Sequence, residues 1–197
     1  MSKIKLAIFA SGSGTNAQRL VEYFSDHEHI EVASILSNKK DAFVLERAAR
    51  LGVPSSIFGR EDLYRSSRLL DQLAKDQIDY IILAGFLWLI PSTMVERYPN
   101  KIINIHPALL PAFGGKGMYG AKVHEAVVNN GEWRSGITIH LVNEAYDEGA
   151  VLAQEECMIN TTDTAETLAQ KIHQLEYAHF PLAVEKYVLS QSPSTAS

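Results

Sequence analysis

Cysteine is almost absent from this sequence of 197 residues, because Cys157 is the only one, and an intramolecular disulfide is therefore impossible. No run of about 18 apolar residues occurs, and the first residues lack the apolar stretch of a signal peptide. The formal net charge is −5, which is not the basic excess of a broad nucleic-acid surface. We therefore expect a cytoplasmic protein that binds neither membranes nor nucleic acids, with Cys157 as a small buried side chain.

The residues that are present, 46% hydrophobic and 21% charged, are typical of a globular protein with a substantial core. In the first half of the chain, apolar runs alternate with helical patterns. The predicted strands are 5–10, 31–38, 55–58, 80–85 and 101–106, and the predicted helices are 16–26, 42–52, 60–75 and 91–98. This alternation indicates βαβ units and predicts an α/β fold with a doubly wound, mainly parallel sheet.

The pattern changes after residue 106. A loop at 106–122, rich in glycine and proline, is followed by a helix at 124–130, two strands at 135–143 and 150–159, and a closing helix at 164–189. A polar turn separates the two strands, so we expect them to pair as a C-terminal antiparallel hairpin. Residues 1–189 are predicted to form a single domain, and the small, polar residues 190–197 a disordered tail.

The stretch SGSGTN, residues 11–16, follows the first predicted strand and opens the first helix. Glycine lets backbone N–H groups approach an anion, and the positive end of a helix adds to the attraction, so we interpret the stretch as a phosphate site. Its G-x-G-x-x-A spacing also fits dinucleotide-binding loops, but Ser37 and Asn38 stand where those proteins need an acid for the ribose. The alternative is a plain strand-to-helix turn capped by Thr15 or Asn16.

A second candidate is the pair Asn104 and His106, which share one face at the end of the fifth predicted strand. In an open parallel sheet, ligands bind at this carboxyl edge, where the phosphate site is also expected. An amide beside an imidazole can stabilise an oxyanion and move a proton. Asp147, in the turn of the hairpin, could raise the pKa of the imidazole and fix its tautomer, although Asp-x-Gly is also ordinary turn chemistry. His140 is interpreted as a buried structural histidine.

The apolar run FLWLI, residues 86–90, leaves the end of the fourth predicted strand. It is either part of the core or the wall of a slot for a flat heteroaromatic ligand. The seven histidines include no pair with the zinc-protease spacing beside a carboxylate, so no metal site is expected.

Five segments occur together in the order SGSGTN, AGF, NIHPALLP, SGITIHLVNEAYDEGAVLAQ and EYAHFP. With these segments the chain resembles the phosphoribosylglycinamide formyltransferases of purine biosynthesis, from about residue 3 to residue 189. The resemblance implies the formyltransferase fold and an enzyme that moves the formyl group of 10-formyltetrahydrofolate, its co-substrate, to the amine of phosphoribosylglycinamide without a metal. We expect small-molecule substrates and a monomer or weak homodimer.

The resemblance also implies roles for individual residues. It implies a catalytic set of Asn104, His106 and Asp147. It implies that phosphoribosylglycinamide is bound by Gly14, Thr15, Asn16, His173 and Glu176. The folate pocket that it implies is lined by Arg60, Leu87, Trp88, Leu89, Ile90, Asn104, Asn143, Glu144, Ala145, Tyr146 and Asp147.

Two features depart from the family pattern. Trp88 stands where an arginine is common, which puts side-chain contacts to the folate there in question but not backbone contacts. The segment after the Leu-Leu-Pro is longer than usual, so contacts of residues 112–122 are not transferred. A cis peptide bond at Leu110–Pro111 is expected from the resemblance.

Two alternatives stay open at this point. One is a different enzyme that uses formyltetrahydrofolate, either the hydrolase or a formyltransferase acting on tRNA or on a sugar nucleotide. The hydrolase would carry an additional N-terminal domain and the tRNA enzyme an additional C-terminal domain, and we expect neither here. The other alternative is a nucleotide-binding module without catalysis, which would explain the glycines but not Asn104, His106 and Asp147.

Overall fold

The structure is a computed structural model that describes residues 2–191, and in this part of the chain seven strands form one sheet. The strands are β1 (Ile4–Ala10), β2 (Ile30–Ser37), β3 (Ser55–Ile57), β4 (Tyr80–Leu83), β5 (Ile102–His106), β6 (Arg134–Leu141) and β7 (Val151–Met158). Their order across the sheet is β3-β2-β1-β4-β5-β6-β7. The pairs among β1 to β5 are parallel, and β6 is antiparallel to both β5 and β7, which confirms the predicted fold class.

The helices that flank the sheet are α1 (Thr15–Phe24), α2 (Phe43–Arg50), α3 (Arg60–Tyr64), α4 (Arg68–Lys75), α5 (Ser92–Arg97), α6 (Ala121–Asn129) and α7 (Ala165–Ser190). Most predicted elements are present with small shifts at their ends, the largest being the start of α6 at Ala121 instead of residue 124. Ser190, predicted as the start of the tail, belongs to α7, and residues 192–197 lie outside the described residues. Over residues 2–191, no helix is both long and apolar enough to cross a membrane.

The prediction of one helix at 60–75 is wrong, because the chain forms α3 and α4 there. Arg65 leaves the helical conformation at φ −129°, and Ser67 precedes the first residue of α4. The Ser67 hydroxyl donates to the Asp71 carboxylate at 2.6 Å. Serine favours the ends of helices, which agrees with the start of α4 directly after Ser67.

Helices cover both faces of the sheet and give it two cores. Alternate residues of β1 divide between them, because successive side chains of a strand point to opposite faces. Leu6 and Ile8 belong to the core formed with α1, α2, α6 and α7. Ala7 and Phe9 belong to the core formed with α3, α4 and α5. β1, β4 and β5 are neighbouring parallel strands, so their carboxyl ends lie side by side.

Three connections start at this edge of the sheet, and a fourth, the turn between β6 and β7, supplies residues to a cavity that opens there. They are the β1 loop (residues 11–14), the β4 loop (84–91), the β5 loop (107–120) and the β6–β7 turn (142–150). Ser11 links the first two, because its N–H donates to Gly85 O and its hydroxyl accepts from Leu87 N, both at 3.1 Å. The expected cis bond at Leu110–Pro111 is present in the β5 loop.

Candidate active site

A cavity of about 630 Å³ opens at the carboxyl ends of β1, β4 and β5. Its lining consists of residues 11–16, 83–90, 104–107, 115–120 and 145–147 with Lys39, His124, His140, Val142, His173 and Glu176. A concave site of this size at the carboxyl edge of an α/β sheet is typical of a ligand pocket. The predicted phosphate site, the Asn104–His106 pair and the apolar run at 86–90 thus belong to one cavity.

The β1 loop is shaped by contacts with α2. Gly14 precedes α1 at φ 75°, and a Cβ built on it would lie 2.3 Å from Val44 Cγ2, so the position requires glycine. Ser13 O accepts from Arg47 Nε at 2.8 Å, and Gly12 O accepts from Val44 N at 3.1 Å. These hydrogen bonds hold the loop while its carbonyl groups point to α2 rather than to a ligand.

The first turn of α1 has no side-chain cap, and the residue that precedes the helix is Gly14 rather than Thr15 or Asn16. The alternative of a turn capped by one of these side chains is therefore wrong. Uncapped N–H groups at the positive end of a helix are the donors that bind phosphate at helix termini. Asn16 uses its side chain elsewhere, because its Nδ2 donates to Glu176 Oε2 at 2.8 Å.

Glu176 lines the cavity from α7 and is only 6% exposed. Burial raises the pKa of Glu176 to about 7, against the smaller opposite effect of the hydrogen bond from Asn16. The carboxyl group therefore titrates near neutral pH. His173, one turn earlier on α7, also lines the cavity and stacks on Tyr177 with ring centroids 6.0 Å apart. The α7 residues predicted for the substrate thus share one cavity with the β1 loop.

The structure brings the predicted catalytic residues together. Asp147 Oδ1 lies 3.5 Å from Asn104 Nδ2, and Asp147 Oδ2 lies 3.5 Å from His106 Nδ1. Asn104 and His106 share a face of β5, as the period of a strand dictates. The β6–β7 turn supplies Asp147, whose backbone has a φ of 57°. One carboxylate therefore contacts both strand residues.

Burial is the largest influence on the pKa of both titratable side chains of this set, His106 and Asp147. Burial lowers the pKa of His106 below its usual value, and the charge of Asp147 and the Phe113 carbonyl offset only part of this effect. Burial alone would raise the pKa of Asp147, but hydrogen bonds and charges from His140, His106 and Gly115 outweigh it and lower that pKa. Asp147 therefore raises the pKa of His106, as expected. The burial of the ring lowers that pKa by more, so the ring favours its neutral form without ligand.

His140 takes part in this set, which the interpretation from sequence missed. Its Nδ1 lies 2.8 Å from Leu141 O, and its Nε2 lies 3.1 Å from Asn104 Nδ2. With Nδ1–H donated to the carbonyl, Nε2 accepts from the amide and fixes its orientation. His140 is buried, as expected, but it pairs directly with Asn104 in the antiparallel ladder of β5 and β6. That register is the signal that could have placed it in the site.

The β5 loop lies against the same residues. His106 Nε2 donates to Phe113 O at 2.8 Å, and Gly115 N donates to Asp147 Oδ2 at 2.9 Å. A Cβ on Gly114 would lie 2.5 Å from Leu110 Cδ2, so a larger residue here would displace this leucine side chain. Residues 115–120 line the cavity. The segment for which the resemblance gave no contacts is therefore part of the site.

The β4 loop forms an apolar wall of the cavity with residues 86–90. The guanidinium carbon of Arg60 lies 4.7 Å from the ring centre of Trp88, and the Tyr64 hydroxyl donates to Leu89 O at 2.9 Å. Arg60 itself does not line the cavity, so its contact with the wall is the cation–π contact with Trp88. The tryptophan that replaces the usual arginine is thus covered by a cation from α3.

Most of the predicted binding residues lie at the cavity. The folate residues that line it are Leu87, Trp88, Leu89, Ile90, Asn104, Ala145, Tyr146 and Asp147, and the substrate residues that line it are Gly14, Thr15, Asn16, His173 and Glu176. Arg60, Asn143 and Glu144 do not line it. Asn143 Oδ1 instead accepts from the Ala145 N–H at 3.0 Å, which shapes the turn.

Sequence reasoning missed several lining residues, among them Lys39, Tyr119 and His124. Lys39 follows β2 at the carboxyl edge of the sheet, a position that could have indicated it. Tyr119 and His124 flank the start of α6, and nothing in the local pattern distinguishes them. Among residues 2–191, no group of three or more His, Cys, Asp and Glu side chains is arranged to hold a metal ion.

Residues 4–184 match the protein family described as Formyl transferase. The chain belongs to this family. The phosphoribosylglycinamide formyltransferase of Bacillus subtilis is 35% identical over 187 residues, which cover 92% of this chain and 93% of that protein. The chloroplastic protein of the same name from Arabidopsis thaliana is 45% identical over 174 residues, which cover 85% of this chain and 60% of that protein. The chain thus spans about 60% of the length of its plant relatives.

Solved structures support this membership in the formyl transferase family. The phosphoribosylglycinamide formyltransferase of Bacillus halodurans superposes with a TM-score of 0.84 at 36% identity, covering 95% of this chain and 96% of that chain. The glycinamide ribonucleotide transformylase 1 of Geobacillus kaustophilus gives a TM-score of 0.84 at 39% identity, covering 93% of this chain and 97% of that chain. The predicted resemblance and the predicted formyltransferase fold are confirmed.

Proposed function

We propose that this formyl transferase moves the formyl group of 10-formyltetrahydrofolate to the amine of phosphoribosylglycinamide in purine biosynthesis. The observation that carries the proposal is a single cavity that joins the uncapped start of α1 with Asn104, His106 and Asp147. The relatives from Bacillus subtilis and Arabidopsis thaliana, both phosphoribosylglycinamide formyltransferases by name, support the same reaction.

The acceptor substrate would occupy the side of the cavity formed by the β1 loop and α7. The N–H groups of Gly14, Thr15 and Asn16 offer donors to a phosphate at the positive end of α1. His173 and Glu176 line the same side and supply polar groups for the rest of the molecule. Anchoring the phosphate away from the reacting amine restricts the amine to a productive position, which lowers the entropic part of the barrier.

The formyl donor would occupy the side formed by the β4 loop and the β6–β7 turn. The apolar segment 86–90 and Tyr146 offer flat and apolar surface to a heteroaromatic ring. The tryptophan at position 88, where an arginine is common, changes a side chain and leaves the backbone N–H and C=O groups of this segment in place. We therefore propose that ring recognition depends on the backbone there, with Trp88 adding apolar surface.

The residues at the junction of the two sides suit a direct transfer between two nitrogens. The amine attacks the formyl carbon and the carbonyl electron pair moves to oxygen. That pair then re-forms the C=O bond as the bond to the folate nitrogen breaks, and this nitrogen gains the proton that the amine loses. The Asn104 amide, by turning from Asp147, and protonated His106, by turning an N–H from the Phe113 carbonyl or from Asp147, can donate to the oxygen, where negative charge develops. Asp147, through water, can relay the proton lost by the amine to the leaving nitrogen. The developing charge on oxygen also favours the protonated form of His106.

Product analysis with both substrates tests the proposal. The expected result is formylated phosphoribosylglycinamide and tetrahydrofolate in equal amounts. Formate released without the acceptor would indicate the hydrolase, and substrate binding without any product would indicate a module that does not catalyse. His106→Ala should abolish most turnover, whereas the matched control His29→Ala, on an exposed side chain, should not.

The proposal extends to the cellular location and the oligomeric state of the enzyme. We infer a cytoplasmic enzyme that acts on small molecules as a monomer or weak homodimer. Sedimentation at several protein concentrations measures the assembly. A tight dimer at nanomolar concentration would contradict it.

A further inference from the structure

His124 is a buried histidine at the cavity to which the functions described above give no role. It lies on α6, is 4% exposed, and lines the cavity together with His106 and His173. Its Nδ1 is fully buried and has no hydrogen-bond partner in residues 2–191. A fully buried Nδ1 is closed to a ligand, so Nε2 is the nitrogen through which this cavity-lining imidazole can bind one.

The surroundings of His124 include two further histidines that line the cavity, His173 and His106. Burial is the largest influence on its pKa, which falls to about 4, and the charges of His173 and His106 lower it further. The ring therefore lies near both the α7 histidine and the catalytic histidine of β5. It is neutral near neutral pH, with one donor and one lone pair. A neutral ring suits an uncharged oxygen, whereas a phosphate would favour a cation.

The fold fixes both the position and the tautomer of this ring. Val123 and Val127, its neighbours on α6, are buried in the core, so the backbone that carries His124 is held by packing. A proton on Nδ1 would be a buried donor without an acceptor, which is costly. The tautomer with its proton on Nε2 avoids this cost and leaves Nε2–H available to donate.

We infer that His124 is a further binding residue for the acceptor substrate, donating from Nε2 to an uncharged oxygen between the phosphate at the β1 loop and the amine at His106. The oxygen is a ribose hydroxyl or the glycinamide carbonyl, which share this chemistry. The inference rests on the proposed function. It adds a contact to the middle of the acceptor molecule and none to the folate.

Steady-state kinetics of His124→Leu and His124→Gln test this role. His124→Leu should raise KM for phosphoribosylglycinamide about tenfold, the loss expected for one hydrogen bond, and leave KM for 10-formyltetrahydrofolate unchanged. The glutamine amide can donate in place of Nε2, so His124→Gln should recover most of the loss. The control Val127→Ala removes packing from the same helix and should lower the urea midpoint without raising either KM. An unchanged KM in His124→Leu would overturn the inference.

Nitrogen NMR of the wild-type ring gives a second readout that a purely structural histidine would not move. Phosphoribosylglycinamide alone, which cannot react without the formyl donor, should shift the His124 resonances of an Nε2-protonated ring. Tetrahydrofolate alone should not shift them. Unmoved His124 resonances at saturating phosphoribosylglycinamide would refute the contact.

The outcomes separate this inference from the proposed function. Normal wild-type turnover with an unaffected His124→Leu variant rejects the contact and keeps the reaction. A His124 response to phosphoribosylglycinamide without formylated product rejects the reaction and keeps the contact. No binding of phosphoribosylglycinamide rejects both.

Discussion

Alanine at Gly14 and at Gly12 separates the conformational demand of the β1 loop from its role in binding. Gly14 has φ +75°, and this left-handed conformation costs other residues roughly 1–2 kcal/mol. A Cβ there would also lie 2.3 Å from Val44 Cγ2 and 2.9 Å from Val44 Cα, so α2 must move. Overpacking of this kind costs about 1–3 kcal/mol. Gly14→Ala should therefore lower the free energy of unfolding by about 2–5 kcal/mol.

Gly12 provides the matched comparison in the same loop. A Cβ on Gly12 would meet nothing within 4 Å, and its φ lies outside the left-handed range. Gly12→Ala should therefore change the free energy of unfolding by less than about 0.5 kcal/mol. Because Gly12 lines the cavity, the new methyl group should hinder the approach of a phosphate and weaken phosphoribosylglycinamide binding by about tenfold.

Urea unfolding and calorimetric titration with phosphoribosylglycinamide measure the two effects. Adding Val44→Ala to Gly14→Ala should restore only part of the stability, because Cβ of residue 44 would still lie 2.5 Å from the new methyl group. A Gly14→Ala protein as stable as the wild type would refute the steric argument. A Gly12→Ala protein that binds phosphoribosylglycinamide as tightly as the wild type would refute the phosphate assignment.

Three further predictions concern the groups around the cavity. Asp147→Asn should lower turnover about 10²- to 10⁴-fold. It should also lower the pKa of His106 further, since the carboxylate raises it, and an unchanged NMR titration of His106 would count against this. Glu176 holds its proton more tightly in the folded chain, so wild-type stability should fall as pH rises from 4.5 to about 7. Glu176→Gln should remove that fall, and urea midpoints across this range that decline equally in both proteins would contradict it. Trp88→Ala should raise KM for 10-formyltetrahydrofolate, because the wall of the cavity loses apolar surface, with KM for phosphoribosylglycinamide as the internal control.

The sheet could be predicted because burial on both faces leaves a direct trace in the sequence. β1, β4 and β5 are covered by helices on both sides, so they read as short continuous apolar runs between polar turns. The break at Arg65–Ser67 could not be predicted in the same way. Leucines continue at helical spacing across it, and the φ of −129° at Arg65 in the folded chain shows where the first helix ends.

The parts of the candidate site that depend on the geometry of a single strand or turn could be predicted from the sequence. The parts that depend on how distant segments pair could not. The period of a strand put Asn104 and His106 on one face, and the turn signal together with the resemblance indicated Asp147. The roles of His140 and His124 depend on how β5 pairs with β6 and on where α6 starts, which distant packing decides. The role of Arg60 in folate binding stays a prediction.

The hydrogen bond between Asn16 and Glu176 joins positions 160 residues apart. On the ribosome, the β1 loop is made before α7, so a nascent chain that has folded β1 to β5 carries the glycines but lacks Asp147 and Glu176. The acceptor half of the cavity is completed only when Phe180 and its neighbours on α7 enter the core beside α1. Recovery of enzyme activity during refolding should therefore follow the docking of the last helix, while signals of sheet formation are already complete.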